Sequence, residues 1–192
     1  MKKIAIFASG SGTNAQRIIE YFKDHKDISV ELVLSNNPQS YVLERARNLN
    51  VDSLIFNRSE FYETDKVLCI LQKKEVCLII LAGFLWLIPD YLINAYKDKI
   101  INIHPALLPK YGGKGMYGMR VHEAVIQAGE KESGISIHFI DEKYDAGQII
   151  FQAKCEVSEK ETPETLAKKI HLLEYQHFPV VIEKVLLKGK SF

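Results

Sequence analysis

Hydrophobic residues in the first hundred positions follow two spacings in turn, and this pattern predicts strands that alternate with helices. Four β-branched runs bounded by turn residues have the pattern of strands: Ile4–Ala8, Ile28–Leu34, a run within Val51–Phe56, and Val76–Ala82. The segments between them carry apolar residues at helical spacing, as in Tyr41–Asn48 and Ser59–Lys73. Strands that alternate with helices indicate an α/β protein with a doubly wound, mostly parallel sheet.

The second half of the chain begins with a strand that stops at polar residues. The run Lys99–Ile103 is β-branched, and Pro105 predicts that its strand ends at His104 because proline cannot continue a ladder. Two further runs, Gly134–Phe139 and Gln148–Ala153, are joined by a connection short enough for a hairpin. We therefore expect an antiparallel strand pair in the C-terminal part of the sheet.

A long helix is predicted at the end of the chain. Thr162 is a suitable N-cap and Pro163 suits the first helical position, whereas Pro179 should end or kink the helix. His171 and Glu174 are three residues apart and share a helix face. Their pairing is either an exposed salt bridge or part of a ligand contact, and the sequence leaves both open.

Composition narrows the class of protein. A chain of 192 residues with 47% hydrophobic content can bury one sizeable core, so a single domain is expected. The net charge of +1 gives no field suited to nucleic acid or a membrane surface, which leaves small molecules as the expected partners. The chain shows neither a signal peptide nor an apolar run of about 20 residues, and we expect a cytoplasmic protein. Cys69, Cys77 and Cys155 are predicted to be buried free thiols, and no metal site is expected.

A glycine-rich turn follows the first strand and opens a helix. The segment Ser9–Ala15 lets backbone approach a ligand closely, and the new helix offers unpaired N–H groups, which together suit a phosphate. Its glycines also fit a loose dinucleotide fingerprint, but a dinucleotide site needs an acid at the end of the second strand, and Glu31 lies too early. The turn therefore favours a phosphate monoester over NAD, with a purely structural turn as the alternative.

Several polar and apolar segments fall where a ligand could bind. Asn102 and His104 lie at a strand end, where open α/β sheets bind ligands, although a structural histidine is the alternative. The apolar segment Gly83–Pro89 either fills the core, which the sequence alone favours, or lines a pocket for a flat ligand. The segment Lys110–Met119 has four glycines and is expected to form a mobile loop beside the site. The connection Asp141–Gly147 carries three carboxylates, which are turn formers unless one lies beside an imidazole.

Four motifs, in order, resemble the phosphoribosylglycinamide formyltransferase family of folate-dependent enzymes in purine synthesis: Gly10–Asn14, Leu81–Phe84, Asn102–Pro109, and His138–Phe139 with Asp145–Ile150. The resemblance covers essentially the whole chain. It implies a Rossmann-like formyltransferase domain over residues 1–192, with a phosphate-binding half of about residues 1–100 and a catalytic and folate-binding half of about residues 101–192. It also implies formyl transfer from 10-formyltetrahydrofolate to the amine of glycinamide ribonucleotide, without a metal, by a monomer or weak homodimer.

The same resemblance implies roles for individual residues. Catalysis is expected from Asn102, His104 and Asp145. The substrate phosphate and ribose are expected to be held by Gly12, Thr13, Asn14 and Glu174. The folate is expected to contact Leu85, Trp86, Leu87, Ile88, Asn102, Ile140 and Asp141, with backbone from Ile140 to Asp145 contributing. This expectation reverses the preference for core at Trp86.

The reaction makes its own demands on such residues. Attack of an amine on a formyl group places negative charge on the formyl oxygen, and the leaving folate nitrogen needs a proton. The Asn102 amide and a protonated His104 can supply these hydrogen bonds and protons, and a nearby carboxylate is expected to raise the pKa of His104.

Two departures from the family pattern and several alternatives remain. Many relatives carry arginine where Trp86 stands, and the Lys110–Met119 loop is longer and richer in glycine than usual. A methionyl-tRNA formyltransferase is disfavoured because it adds a basic C-terminal domain, whereas this sequence ends at Phe192 with balanced charge. A deformylase of 10-formyltetrahydrofolate is likewise disfavoured, because its usual regulatory domain has no counterpart in this sequence. A non-catalytic nucleotide-binding module would leave the Asn102, His104 and Asp145 set without a purpose, and a dehydrogenase would lack its ribose-binding acid.

Overall fold

The computed structural model describes residues 1–141 and 145–188. Its strands are β1 (Lys2–Phe7), β2 (Ile28–Ser35), β3 (Ser53–Ile55), β4 (Val76–Leu81), β5 (Ile100–His104), β6 (Glu132–Phe139) and β7 (Ile149–Glu156). Its helices are α1 (Thr13–Phe22), α2 (Tyr41–Asn48), α3 (Arg58–Tyr62), α4 (Lys66–Lys73), α5 (Asp90–Ala95), α6 (Met119–Gln127) and α7 (Pro163–Lys188).

The strands form a seven-stranded sheet in the order β3-β2-β1-β4-β5-β6-β7. The pairs β1/β2, β1/β4 and β2/β3 are parallel, and β6/β7 is antiparallel. The predicted fold class, an α/β protein with a mostly parallel sheet and an antiparallel C-terminal pair, is confirmed. The chain divides into two compact units, one of residues Met1–Ile101 and one from Asn102 onward.

The core of the first unit explains where its loops lie. The last four residues of β1 and of β4 are buried, and α1 covers the sheet with a fully apolar face of Ala15, Ile18, Ile19 and Phe22. Because β1 lies between β2 and β4, the strand order reverses at β1, and the carboxyl ends of β1 and β4 meet at this switch point. The loops that follow these two strands are therefore neighbours.

The segment Ser59–Lys73, predicted as one helix, consists of two. The Asn57 side chain accepts a hydrogen bond from the Glu60 amide at 2.9 Å, and the Glu60 carboxylate accepts one from the Asn57 amide at 2.9 Å, so a capping box starts α3. The Thr64 hydroxyl then accepts a hydrogen bond from the Lys66 amide at 3.3 Å. This hydrogen bond lies in the turn between the two helices, and the N-cap of α4 is Asp65, whose side chain makes no capping hydrogen bond.

Two further predictions are wrong in detail. Of the two outcomes predicted for Pro179, an end of the helix is wrong: the proline lies inside α7, where buried side chains on both sides of it, including Phe178 and Ile182, hold the helix in place. The three cysteines are free, as predicted, but Cys69 is exposed and the other two are half-buried, so none is a fully buried thiol. Strand β5 ends at His104 as predicted.

In the described part of the chain, none of the helices combines the length and apolarity required to cross a membrane. Over residues 1–141 and 145–188, no cluster of three or more His, Cys, Asp or Glu side chains is arranged to hold a metal ion.

Candidate active site

The glycine-rich turn after β1 is held by backbone hydrogen bonds on two sides. The Ser9 amide donates to the Gly83 carbonyl at 3.0 Å, and the Val42 amide donates to the Gly10 carbonyl at 3.2 Å. Gly12 is the N-cap of α1 in the left-handed region, with φ of 73°, and no side chain caps the helix. A helix start without a side-chain cap suits an anion, and the predicted residues Gly12, Thr13 and Asn14 lie at this start.

Gly12 has no room for a side chain. A Cβ atom at this position would lie 2.3 Å from Cγ2 of Val42, which is itself fully buried. A residue with a side chain would also be strained at this positive φ. The turn therefore requires glycine for two separate reasons.

The apolar segment after β4 is partly exposed. Leu85 and Leu87 are 52% and 37% exposed, whereas Ile88 is buried at 3%. The ring of Trp86 packs edge-on to Phe56 at 6.1 Å, and the guanidinium of Arg58 lies 5.7 Å from the Trp86 ring centre. The Leu85 amide donates to the Ser9 hydroxyl at 3.0 Å, which joins this segment to the glycine-rich turn. The predicted folate-binding residues thus comprise two exposed leucines, a packed tryptophan and a core isoleucine.

In the second unit, β5 delivers Asn102 and His104 from one strand. Successive side chains of a strand point to opposite faces, so residues two apart share a face. His104 is only 4% exposed, and its Nε2–H donates to the Tyr111 carbonyl at 2.8 Å. A carbonyl can only accept, so the Nε2 atom carries the proton and Nδ1 of the neutral ring is the free acceptor.

Asp145 approaches His104 from a strained turn. Its Oδ2 atom lies 3.7 Å from Nδ1 of His104 and accepts a hydrogen bond from the Gly113 amide at 2.9 Å. Asp145 has a φ of 52°, and Tyr111 has a φ of 56°, both in the left-handed region. Backbone strain in residues other than glycine clusters at functional sites, and here both strained residues lie against the same imidazole.

His138, which was not predicted as a site residue, lies between Asn102 and Asp145. Its fully buried ring has Nδ1 2.9 Å from the Phe139 carbonyl, so Nδ1 carries the proton. Its Nε2 atom lies 3.1 Å from the Asn102 amide nitrogen and 3.5 Å from Oδ1 of Asp145. In the neutral ring Nε2 accepts from Asn102, which fixes the orientation of that amide. The sequence could have indicated this role, because His138 lies within the fourth motif that resembles the family.

Burial dominates the electrostatics of His104. Desolvation lowers the pKa of His104, and the opposing effects of the Asp145 charge and the Tyr111 carbonyl do not overcome it. The expectation that a neighbouring carboxylate would raise this pKa is therefore wrong for the net shift, although Asp145 acts in that direction. Burial would raise the pKa of Asp145, but the proximity of the His138 and His104 rings and the hydrogen bond from the Gly113 amide together lower it. The pair is thus a neutral imidazole beside a carboxylate at neutral pH.

Glu174 lies in the same unit with two more histidines. It is buried at 5% and its Oε2 atom is 2.8 Å from Nδ1 of His171, so the two residues share a face as predicted. The hydrogen bond to Glu174 raises the pKa of His171. Burial lowers the pKa of His122, and Nδ1 of His122 has no hydrogen-bond partner among the described residues. The predicted salt bridge is thus present, with a half-exposed His171 and a buried Glu174.

The last two predicted folate contacts, Ile140 and Asp141, are half-buried and follow β6 directly. The predicted backbone contacts at residues 142–144 lie outside the described residues. Within the second unit, the structure brings together Asn102, His104 and Asp145, as the sequence predicted, and adds His138, the Tyr111 carbonyl and the Gly113 amide.

Comparison with known proteins identifies the class. The formyl transferase family model matches residues 2–182, and the chain belongs to that family. It is 40% identical over 193 residues to the phosphoribosylglycinamide formyltransferase of Bacillus subtilis, a match that covers 97% of this chain and 95% of that protein. It is 38% identical over 187 residues to the chloroplastic phosphoribosylglycinamide formyltransferase of Arabidopsis thaliana, covering 94% of this chain and 64% of the plant protein's length.

Solved structures agree with this assignment. The crystal structure of phosphoribosylglycinamide formyltransferase from Bacillus halodurans matches with a TM-score of 0.87 and 34% identity, covering 98% of this chain and 97% of that chain. The structure of the protein of the same name from Streptococcus pneumoniae matches with a TM-score of 0.86 and 35% identity, covering 97% and 99% of the two chains.

Proposed function

We propose that this formyltransferase transfers a formyl group from 10-formyltetrahydrofolate to the amine of glycinamide ribonucleotide in purine biosynthesis. The observation that carries the proposal is the distance of 3.7 Å between Oδ2 of Asp145 and Nδ1 of His104. His104 and Asn102 lie on the same strand, and the chain is 40% identical to the Bacillus subtilis enzyme. The alternatives based on binding alone give this buried constellation no purpose.

The substrate phosphate is assigned to the amides at Gly12, Thr13 and Asn14, because an uncapped helix start with a tight glycine turn favours a phosphate. The ribose hydroxyls are assigned to Glu174, whose buried carboxylate accepts hydrogen bonds and so suits a diol. The half-buried ring of Trp86 and the exposed Leu85 and Leu87 supply apolar surface of the kind a pteridine needs.

In the proposed chemistry, a new bond forms between the substrate amine and the formyl carbon, and the bond from that carbon to the folate nitrogen breaks. The neutral His104 accepts the proton that the attacking amine loses, and Asp145 stabilises the imidazolium that forms. That proton then passes to the folate nitrogen as it leaves. The Asn102 amide, oriented by His138, donates its second N–H to the formyl oxygen as negative charge develops there.

The decisive experiment measures tetrahydrofolate formation by the purified protein. We expect it to require both glycinamide ribonucleotide and 10-formyltetrahydrofolate, with formylglycinamide ribonucleotide produced in equal amount. Tetrahydrofolate formed at the same rate without the amine substrate would instead identify a deformylase. Absence of turnover with both substrates present would overturn the proposal.

A further inference from the structure

The glycine-rich turn has no charge of its own to match a phosphate. None of the side chains from Ser9 to Gln16 is ionisable at neutral pH. A phosphate monoester carries nearly two negative charges, and backbone dipoles at a helix start are equivalent to only about half a unit of positive charge. Compensation of the remaining charge must come from outside the turn.

One face of α2 forms the back of this turn. Val42 contributes the amide that binds the Gly10 carbonyl and the side chain that leaves no room for a Cβ at Gly12. One helical turn further, the Arg45 Nε–H donates to the Ser11 carbonyl at 2.8 Å. The Nη1 atom of the same guanidinium donates to the Gln16 side chain on α1. Arg45 thus joins α2, the turn and the first helical turn of α1.

The guanidinium is held in a fixed position. It lies over the ring of Tyr41, 4.8 Å from the ring centre, in addition to its two hydrogen bonds. The fork of an arginine can make such bonds from two nitrogens at once, whereas a lysine presents one compact charge. Arg45 is half-buried, so its charge is screened less than that of an exposed side chain.

We propose that Arg45 is a positioning residue for the substrate phosphate, which it reaches through the Ser11 carbonyl and through its field rather than by contact. By binding the carbonyls at Gly10 and Ser11, α2 turns their negative ends away from the phosphate side and leaves the amides of the turn facing it. The proposal rests on the assignment of the phosphate to this turn and deepens it, because it names the cation that sets the affinity.

The test compares Arg45→Gln, Arg45→Lys and the matched control Arg47→Gln, which removes an exposed arginine from the same helix. Each variant is assayed with glycinamide ribonucleotide and with its dephosphorylated riboside. We expect Arg45→Gln to raise KM for the ribonucleotide about tenfold, because the Ser11 carbonyl loses its charge-assisted hydrogen bond and the turn loses a nearby positive charge. The kcat and the KM for the folate should be unchanged. The kcat/KM for the riboside should equal that of the wild type. The KM of Arg45→Lys for the ribonucleotide should lie between those of the wild type and Arg45→Gln because lysine keeps the charge. Arg47→Gln should match the wild type.

Binding of ribose 5-phosphate by calorimetry separates this proposal from the proposed reaction. Arg45→Gln should weaken that binding about tenfold whether or not the protein transfers a formyl group. An unchanged affinity, or an equal loss of kcat/KM with both the ribonucleotide and the riboside, would overturn the positioning role, the latter because it indicates general damage to the turn. Failure of the wild type to bind ribose 5-phosphate would overturn it as well, whereas failure of formyl transfer alone would overturn only the reaction.

Discussion

The Ser136 hydroxyl donates to the Ala106 carbonyl at 2.7 Å. The same oxygen accepts from the Leu108 amide at 2.9 Å and from the Gln152 side chain at 2.8 Å, so all its hydrogen-bonding capacity is used. Ser136 is fully buried on β6, two residues before His138 and on the same face. Ser136 therefore holds the turn that follows His104, while His138 on the same strand accepts from the Asn102 side chain.

Replacement of Ser136 by alanine should lower the free energy of unfolding by about 1–3 kcal/mol, because the buried Leu108 amide and Ala106 carbonyl lose their partner. It should also lower kcat, because the backbone after His104 loses its anchor. Urea denaturation and steady-state kinetics measure the two effects. Ser133→Ala is the matched control: its hydroxyl is also buried on β6 but has no hydrogen-bond partner among the described residues. Its loss should change stability by less than about 0.5 kcal/mol, and equal effects of the two changes would contradict the role of Ser136.

The two glycines of the phosphate turn should differ sharply in their tolerance of alanine. Gly12→Ala places a methyl group 2.3 Å from Val42 at a positive φ, so both the stability and the affinity for the ribonucleotide should fall. Gly10→Ala meets no atom within 4 Å and should leave the melting temperature nearly unchanged. Thermal unfolding and KM for the ribonucleotide provide the comparison. A stable Gly12→Ala protein with a normal KM would show that the turn does not hold the phosphate.

Removal of either member of the proton-transfer pair should reduce turnover and spare the fold. We expect His104→Ala and Asp145→Asn to lower kcat by about 10²- to 10⁴-fold, the range of a general acid or base. The asparagine keeps the size of Asp145 and can still accept from the Gly113 amide, so its melting temperature should stay near that of the wild type. Near-normal turnover in either variant would refute the assigned role.

Stability should decline as pH falls from about 7 to 5.5. Burial lowers the pKa of His104 and of His122 below the ordinary value of 6.5, so the unfolded chain takes up protons that the folded state does not. The raised pKa of His171 acts in the opposite direction, since the folded state then holds the extra proton. His122→Phe should make the decline shallower and His171→Gln should make it steeper. Urea denaturation at several pH values tests this, and identical slopes in both variants would contradict it.

The segment after β4 should separate packing from ligand binding. Trp86→Ala removes a ring packed on Phe56 and beneath Arg58, so it should lower stability and also raise KM for 10-formyltetrahydrofolate. Leu85 is 52% exposed, so Leu85→Ala should raise that KM with little change in stability. A Leu85→Ala protein with an unchanged KM for the folate would remove this residue from the proposed pocket.

Elements with strong periodicity were predictable, and helix α2 falls at its predicted bounds. The division of α3 from α4 was missed although Asn57 and Glu60, which cap α3, and Thr64, which accepts from the first amide of α4, are visible in the sequence. The continuation of α7 through Pro179 depends on the packing of residues on either side, which no local pattern contains. Local chemistry was sufficient for caps and strand ends, and tertiary packing decided the rest.

The proximity of His104 and Asp145 was predictable from the sequence, whereas the pKa shift of His104 was not. Three carboxylates lie in the connection after β6, and the choice of Asp145 depends on a left-handed backbone and on an amide from Gly113, far away in sequence. The lowered pKa of His104 depends on how much water its fold excludes, and spacing along the chain carries no measure of that. The same limit applies to Arg45, whose proposed role follows from its hydrogen bonds to the Ser11 carbonyl and the Gln16 side chain, both outside its own helix.

The hydrogen bond from His104 to Tyr111 makes the imidazole sensitive to the position of the Lys110–Met119 loop. Tyr111 belongs to that loop, and its carbonyl fixes the proton on Nε2. Any displacement of the loop that breaks this bond should therefore appear in the ¹⁵N chemical shifts of a single ring, which distinguish a protonated from a bare nitrogen. Nuclear magnetic resonance of isotope-labelled histidine could follow the loop through a catalytic cycle without any added probe.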